Sequence, residues 1–209
     1  MKSEFQEIIT TEAELRAILG EPGDAPKNKV ITILDKHCRQ FIAHSPFLTI
    51  ASTNADGQVD VSPKGDPAGF VKVLDDKTLA IPDRLGNKRA DTFVNVLSNP
   101  GVGLLFLIPG INETLRVNGK AQIITDLAIR EQLAHKGKLP QFALIVHVEE
   151  IFMHCTKCMI RSKLWKEHDP KIREKVPSLA TVIKDHAKLK LSTEVLDDYL
   201  KKDEQDGLY

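Results

Sequence analysis

Short strand-forming segments dominate the middle of this chain and limit the folds that it can adopt. Between residues 47 and 151, runs of Val, Ile, Phe and Thr are separated by Gly, Pro, Asn and Asp, the pattern of strands joined by turns. Strands are predicted at residues 47–53, 58–62, 70–74, 78–81, 102–108, 114–125 and 140–151. Their hairpin order, with one inserted helix, predicts a mainly β protein with flanking helices (α+β), built on a closed or partly closed antiparallel barrel. The chain has no G-x-G-x-x-G motif, which argues against a Rossmann sheet.

Helices are predicted on both sides of this barrel. Thr10, Thr11 and Glu14 form a capping-box pattern at the start of a helix over residues 12–19. A Pro- and Gly-containing loop follows, and apolar spacing then predicts a helix over residues 30–44. One domain is expected, with N-terminal helices at 1–45, the barrel core at 46–152, and a C-terminal loop and helices at 153–209. In this last part we expect a loop at 153–165, helices at 179–189 and 193–200, and a frayed end at 201–209.

Charge and cysteine content narrow the class of protein. Lys and Arg number 29, as do Asp and Glu, which argues against a general nucleic-acid-binding protein. No apolar run approaches the ~20 residues of a membrane helix, and residues 1–7 do not resemble a signal peptide. The three cysteines are an odd number, which fits a reducing compartment better than a disulfide framework. A cytoplasmic protein that contacts neither nucleic acid nor membrane is therefore expected.

A polar turn followed by a helix stands out at residues 81–100. Asn87 is the predicted N-cap, and the apolar spacing predicts one helical face that carries Phe93, Val94 and Leu97. The helix should end near Pro100.

Three cations surround this helix start, namely Arg84, Lys88 and Arg89. Helix N-termini favour anions because their first N–H groups lack intrahelical partners. The cluster therefore indicates a phosphate site, while a solvated helix start with ordinary surface charges is the alternative.

Four segments together resemble the pyridoxamine-phosphate-oxidase-like FMN-binding split-barrel family, in particular its smaller members of unassigned function. They are F-L-T-I-A-S-T-N-A-D-G-Q-V-D-V-S-P-K-G-D, L-A-I-P-D-R-L-G-N-K-R-A-D-T-F-V-N-V-L-S-N-P, N-E-T-L-R-V-N-G-K-A and I-R-S-K-L-W. The resemblance implies an antiparallel split barrel of six or seven strands and a homodimer with two FMN sites at the subunit interface. The family's Arg-x-His-x-Arg substrate pattern is absent, which argues against pyridoxamine-phosphate oxidase activity itself.

The resemblance also assigns flavin contacts. In the family, the end of the second strand and a following Lys touch the flavin and its phosphate, and these positions correspond here to Val61, Ser62, Pro63 and Lys64. An aromatic-Thr pair is matched by Pro82 and Asp83, and a Ser-Arg-Lys phosphate turn by Asn87, Lys88 and Arg89.

Two further family positions fall later in the chain. Thr114 stands where the family has a flavin-contacting Gln, and Trp165 matches a Trp near the ring.

Flavin chemistry suggests roles for several side chains. Arg84, Lys88 and Arg89, with Lys64, could neutralise the phosphate. A cation such as Arg116 or Arg161 could stabilise a reduced anionic flavin.

Structural roles remain open for two of the later residues. Arg116 could instead form a cross-strand ion pair with Glu113 or a neighbour, and Trp165 could pack in the core or a dimer interface.

Other candidate sites are weaker. His154, Cys155 and Cys158 form an H-C-x-x-C pattern, but a zinc ribbon needs a second pair and a thioredoxin-type dithiol needs a βαβ context. No metal site and no catalytic residue is predicted, because a flavin carries the redox step itself. The sequence thus predicts an FMN-dependent oxidoreductase acting on a small molecule. The alternatives are a non-catalytic flavin sensor or carrier, or a split barrel that binds F420 or haem.

Overall fold

A seven-stranded antiparallel sheet forms the centre of the molecule in the computed structural model, which describes residues 5–209. Its strands are β1 (Phe47–Thr53), β2 (Val59–Gly65), β3 (Lys72–Val73), β4 (Thr78–Pro82), β5 (Gly101–Leu107), β6 (Thr114–Ile124) and β7 (Ala143–His154). They lie in the order β2-β1-β5-β6-β7-β4-β3. The predicted antiparallel split barrel with six or seven strands is confirmed. Residues 1–4, on which the expected lack of a signal peptide partly depends, lie outside the described residues.

Helices precede the sheet in sequence, interrupt it after β4 and after β6, and follow it. They are α1 (Glu12–Leu19), α2 (Asp24–Asn28), α3 (Lys36–His44), α4 (Asp91–Ser98), α5 (Leu127–Gln132), α6 (Lys157–Ser162), α7 (Ile172–Lys175), α8 (Leu179–His186) and α9 (Thr193–Asp206). Helix α1 has the predicted bounds and capping box. Within residues 5–209, none of these helices combines the length and hydropathy that a membrane span requires.

Three helix predictions were wrong in detail. Helix α2 lies where only a loop was expected. Helix α3 starts at Lys36 because the Asp35 carboxylate accepts the N–H groups of the first turn, and residues before it are extended where Ile31 pairs with Ile151. Helix α6 occupies part of the predicted loop at residues 153–165.

Strand β2 extends further than the sequence indicated. The strand was predicted to end at Ser62, but β2 continues through Pro63 to Gly65. Proline is tolerated here because β2 is an edge strand, paired only with β1, so no second ladder needs its N–H group.

One face of the sheet packs on the main core, and β4 and β7 are buried on both faces. Leu48 and Ile50 of β1, Phe106 of β5 and Leu115 of β6 are fully buried and pack with α3 and α4 residues such as Phe93. Burying a side chain of this size stabilises the fold by about 1.5–3 kcal/mol. This face therefore fixes the register of β2, β1, β5 and β6, since a one-residue slip would expose all of them.

The register of β6 against β7 shifts between Asn118 and Gly119, where β7 carries one extra residue, Glu149. A Cβ atom on Gly119 would overlap the main-chain carbonyl oxygen of His147, well inside van der Waals contact. The sequence therefore needs glycine at this position because of the close backbone approach.

The last residues are ordered, which contradicts the predicted frayed end at 201–209. Helix α9 continues to Asp206. Beyond it, the Tyr209 hydroxyl donates a hydrogen bond to Asp66 Oδ1 at 2.7 Å, and Lys138 Nζ donates to the Tyr209 carbonyl at 2.6 Å.

Candidate functional site

Strand β2 and helix α4 meet through polar contacts on the buried face of the sheet. The Ser62 hydroxyl donates to Asp60 Oδ2 at 2.8 Å, and Thr92 at the start of α4 donates to the same oxygen at 3.3 Å. Lys64 Nζ lies 5.2 Å from the centre of the Phe93 ring. These contacts place the ammonium group of Lys64 beside the first turn of α4.

The turn that precedes α4 has an unusual backbone. Lys88 and Ala90 have φ angles of 62° and 57°, in the left-handed region that few non-glycine residues occupy. Asn87 Oδ1 accepts the N–H of Arg89 at 3.0 Å. The prediction that Asn87 caps the helix was wrong, because this local turn delays the helix until Asp91.

Helix α4 consequently starts without a side-chain cap among the described residues. Its N-cap residue is Ala90, whose methyl group cannot accept a hydrogen bond. The first N–H groups of a helix have no intrahelical acceptor, so this start retains donors that an anion could satisfy.

The buried face of α4 also differs from the prediction. Val94 and Leu97 are 59% and 79% exposed, so only Phe93 of the three predicted residues is buried. The inner face instead includes Asn95, whose Nδ2 donates to the buried Ser52 hydroxyl of β1 at 3.0 Å. The hydrogen-bonded side chain of Asn95 is thus buried on α4, where the apolar spacing had predicted Val94 and Leu97. The helix ends at Ser98, close to the predicted stop.

Three neighbouring clefts, of about 190, 300 and 320 Å³, surround the turn. Lys64 and Asn87 line all three, and the first turn of α4 closes one side of the smallest. The clefts are lined by nine of the predicted contact residues: Ser62, Pro63, Lys64, Pro82, Asp83, Arg84, Asn87, Lys88 and Arg89. The structure therefore brings the predicted contacts at the end of β2 together with those at the end of β4 and in the turn before α4.

Two of the predicted cations already have carboxylate partners. Arg84 Nε donates to Asp66 Oδ2 at 2.6 Å, and its Nη2 donates to the Leu133 carbonyl at 2.9 Å. Arg89 pairs with Asp91 at 2.8 Å, but its side chain is 71% exposed. Arg84 thus fixes the turn, whereas the exposed Arg89 pair is weak enough to rearrange around an anion.

Asp83 places a carboxyl group in the same region. Burial raises its pKa above the ordinary value, while the positive charges of Lys64 and Arg84 act in the opposite direction. The Asp83 N–H donates to the Phe142 carbonyl at 3.2 Å, which attaches the turn to the segment before β7.

The remaining predicted residues lie away from these clefts within one chain. Ile124 of β6 and Pro82 of β4 both pair with Ala143. Thr114 lies at the opposite end of β6 and lines none of the three clefts. Val61, although it belongs to β2, points to the opposite face and is 61% exposed.

Arg116 lies on the outer face of the sheet. Its guanidinium carbon is 4.6 Å from the centre of the Phe152 ring, and Nη2 contacts Glu150 Oε1 at 3.2 Å. The ion pair is therefore cross-strand, as the alternative interpretation proposed, with Glu150 rather than Glu113 as its partner. Its Nε is buried and has no hydrogen-bond partner within residues 5–209.

Trp165 and Arg161 belong to the segment around α6. Trp165 Nε1 donates to the Ile111 carbonyl at 2.8 Å, which attaches this segment to the β5–β6 connection. Arg161 lies in the last turn of α6 and is exposed.

The H-C-x-x-C segment does not form a metal cluster in the described part of the chain. No group of three or more His, Cys, Asp or Glu side chains is placed to hold a metal ion there. Cys155 and Cys158 are exposed and unpaired with each other. The pKa of His154 is lowered by burial first, and then by the charges of Arg116 and Lys29.

Sequence comparison identifies the family. The sequence profile described as pyridoxamine 5'-phosphate oxidase matches residues 34–155, more than half of the 209 residues. The chain belongs to the pyridoxamine 5'-phosphate oxidase family. The family match includes β1, β2 and the turn before α4, whereas it ends before Arg161 and Trp165.

Several solved structures are similar to this family member. HupZ of Group A Streptococcus is 23% identical over 57% of this chain and 92% of its own, with a TM-score of 0.47. A putative pyridoxamine 5'-phosphate oxidase from Lactobacillus delbrueckii is 22% identical over 58% and 95%, with a TM-score of 0.47. An FMN-binding protein from Syntrophomonas wolfei is 15% identical over 56% and 83%, with a TM-score of 0.44. No curated protein matches the chain.

The sequence analysis did not identify several residues around the clefts. Asp66 holds Arg84, and Gln141 and Phe142 line the 300 Å³ cleft beside it. Asp66 was visible only as part of the P-K-G-D-P segment, and no local pattern indicates its distant partners Arg84 and Tyr209.

Proposed function

We propose that the protein is an FMN-binding flavoprotein that acts as an FMN-dependent oxidoreductase on a small molecule. The observation that carries this proposal is the meeting of Lys64 with the turn at Lys88 and Arg89, in front of an uncapped helix start. Membership of the pyridoxamine 5'-phosphate oxidase family supports it independently.

The available donors fit a phosphate group. FMN carries a phosphate with a charge near −2. Lys64, Lys88 and Arg89 supply cations, and the first N–H groups of α4 supply neutral donors. Arg84 is engaged by Asp66, so in this proposal it positions the turn instead of binding the phosphate directly.

The chain's part in the reaction is binding and orientation. Bound FMN would supply the hydride or electron transfer, which needs no side-chain acid or base. Strand β2 has unpaired main-chain groups along its free edge, and these groups could bind the polar edge of the ring system. Asp83 would limit the excess positive charge at the turn.

A homodimer is part of the proposal. The outer face of the sheet carries a row formed by Pro63, Thr49, Leu105, Arg116 and Phe152, which are register partners across five strands. Its β2 end is apolar and open. A second copy packed on this face could bring its Arg116, Arg161 and Trp165 to the flavin ring, which one chain alone cannot do.

Identification of the extracted cofactor is the first test. Purified protein should be yellow, and mass spectrometry of the released ligand should give FMN. Recovery of F420 or haem would replace FMN in the proposal, and a colourless protein that does not quench added FMN fluorescence would overturn it. Another outcome is a protein that binds FMN yet oxidises reduced nicotinamides and other donors no faster than free flavin does. That result would favour a non-catalytic flavin sensor or carrier over an oxidoreductase.

The dimer has its own test. Val61→Lys places a charge on the outer sheet face, while Leu97→Lys makes the same kind of change on the exposed side of α4. Sedimentation should show dissociation for Val61→Lys and a dimer for Leu97→Lys. A monomeric parent protein would remove the shared site from the proposal.

A further inference from the structure

A separate cleft of about 280 Å³ adjoins the candidate cofactor clefts. It lies beside the turn and shares Asp83, Arg84 and Leu85 with the 300 Å³ cleft described above. Its other side is formed by residues 138–141, before β7, and by Tyr209.

Tyr209 lines this cleft, and its side chain makes contacts that would also suit a free ligand. Its hydroxyl donates to Asp66 Oδ1 at 2.7 Å. Its ring lies on the His135 ring, with centres 4.5 Å apart and planes tilted by 31°. Two cations also face the ring, since Lys136 Nζ and Arg84 Cζ lie 5.0 and 5.8 Å from its centre. Such contacts favour an aromatic ring over an aliphatic group of similar size.

Asp66 does not line the cleft but accepts the Tyr209 hydroxyl, and it makes the position of the Tyr209 ring selective for a hydroxyl donor. Its side chain is 1% exposed, and Oδ2 is occupied by Arg84, which leaves Oδ1 to accept from a ligand. The hydrogen bond to Asp66 raises the pKa of Tyr209, because the neutral hydroxyl is the donor. A buried ionised acceptor penalises ligands that cannot donate to it.

His135 provides a second polar atom. Its Nε2 is buried and has no hydrogen-bond partner among residues 5–209. A buried polar atom without a partner is uncommon in folded proteins, and here it belongs to the ring on which Tyr209 stacks.

We propose that the position of the Tyr209 side chain, at the edge of this cleft, is a binding site for a hydroxylated aromatic ring, a phenol, and that Tyr209 is its internal occupant. An external phenol replaces the Tyr209 side chain, donates its hydroxyl to Asp66 and stacks on His135. The assignment of this phenol as the substrate of the neighbouring flavin rests on the proposed function, whereas the binding site itself does not.

In the absence of an external phenol, the Tyr209 side chain would block the site. Tyr209 lies three residues beyond α9, which ends at Asp206. A tethered group acts at an effective concentration of about millimolar or above, so a weak external ligand must compete with it. Removal of the Tyr209 ring should therefore increase the apparent affinity for phenols.

The test is binding of 4-methylphenol, which reproduces the tyrosine side chain, to the full chain. Binding is followed by NMR through ligand saturation transfer and the His135 ring protons. Tyr209→Ala should bind the probe about tenfold more tightly than the parent. Tyr199→Ala is the matched control, because it removes the chain's other tyrosine from an exposed position on α9. It should bind like the parent.

A second probe tests the role of Asp66 without altering the protein. 4-Methylanisole has the same ring but no hydroxyl donor, and should bind Tyr209→Ala about tenfold more weakly than 4-methylphenol. Equal binding of the two probes, or no binding of 4-methylphenol to Tyr209→Ala, would overturn the phenol site. Phenol binding by a protein that does not bind FMN would retain the site and remove only its assignment to a flavin reaction.

Discussion

Arg84 and Asp66 form a short ion pair that joins the turn before α4 to the end of β2. The Nε–Oδ2 distance is 2.6 Å, and the two side chains are 18% and 1% exposed. Arg84 also donates to the Leu133 carbonyl. This ion pair therefore fixes the start of the turn that carries Lys88 and Arg89.

Removal of Arg84 should therefore destabilise the protein. Arg84→Ala leaves the Asp66 carboxylate buried without its partner, and we expect the free energy of unfolding to fall by about 3 kcal/mol. Arg89→Ala breaks an exposed pair and should cost less than about 1 kcal/mol. Urea denaturation measures both values. Equal losses for the two variants would show that Arg84 is not a structural anchor.

The phosphate turn predicts a large change in cofactor affinity. Lys88→Ala combined with Arg89→Ala removes two cations from the cleft lining, and should raise the FMN dissociation constant about 10- to 100-fold. Flavin fluorescence quenching measures this constant. Lys171→Ala with Arg173→Ala causes the same change in net charge at α7 and should leave the constant unaltered. An unchanged constant in the first pair would exclude the turn from the site.

The three cysteines should differ in reactivity. Burial first, and then the hydrogen bond and charge of Asp35, raise the pKa of Cys38 to about 12. Cys38 should therefore stay protonated and unreactive at pH 8, because the thiolate is the nucleophile. Cys155 and Cys158 are exposed and should react with a thiol reagent in the native protein. Mass spectrometry should find two labels before and three after denaturation, and native labelling of Cys38 would contradict the burial.

The register shift between β6 and β7 predicts a site at Gly119 that does not tolerate a methyl group. Gly119→Ala places Cβ against the His147 carbonyl oxygen, which belongs to the neighbouring strand and cannot rotate away. We expect a loss in the free energy of unfolding of about 2 kcal/mol or more. Gly103→Ala is the control, because its Cβ would lie 3.4 Å from a movable side-chain atom, Asn118 Oδ1. A melting temperature for Gly119→Ala equal to that of the control would contradict the observed close approach.

Local sequence patterns predicted most of the strands, and β1 shows why, because burial alternates along it. The apolar alternation that predicted β1 is the same feature that packs Leu48 and Ile50 into the core. Strand β2 was predicted too short because Pro63 normally ends a central strand. Only the sheet order shows that β2 lies at an edge, where proline is tolerated.

The candidate site was less predictable, since its geometry depends on backbone angles and distant partners. Asn87 has the residue type of an N-cap, but its side chain satisfies Arg89 N–H and the chain then turns through left-handed angles. The contact of Tyr209 with Asp66 spans 143 residues. No local periodicity carries information about such a contact, which explains why the last segment was expected to be frayed.

Strand β2 combines a free edge with Pro63. An open strand edge can recruit strands of other chains and so start aggregation. Proline has no N–H to offer an incoming strand and interrupts such a ladder. The protein can therefore keep main-chain donors and acceptors accessible to a small molecule beside Lys64 while it resists fibrillar self-association along the same edge.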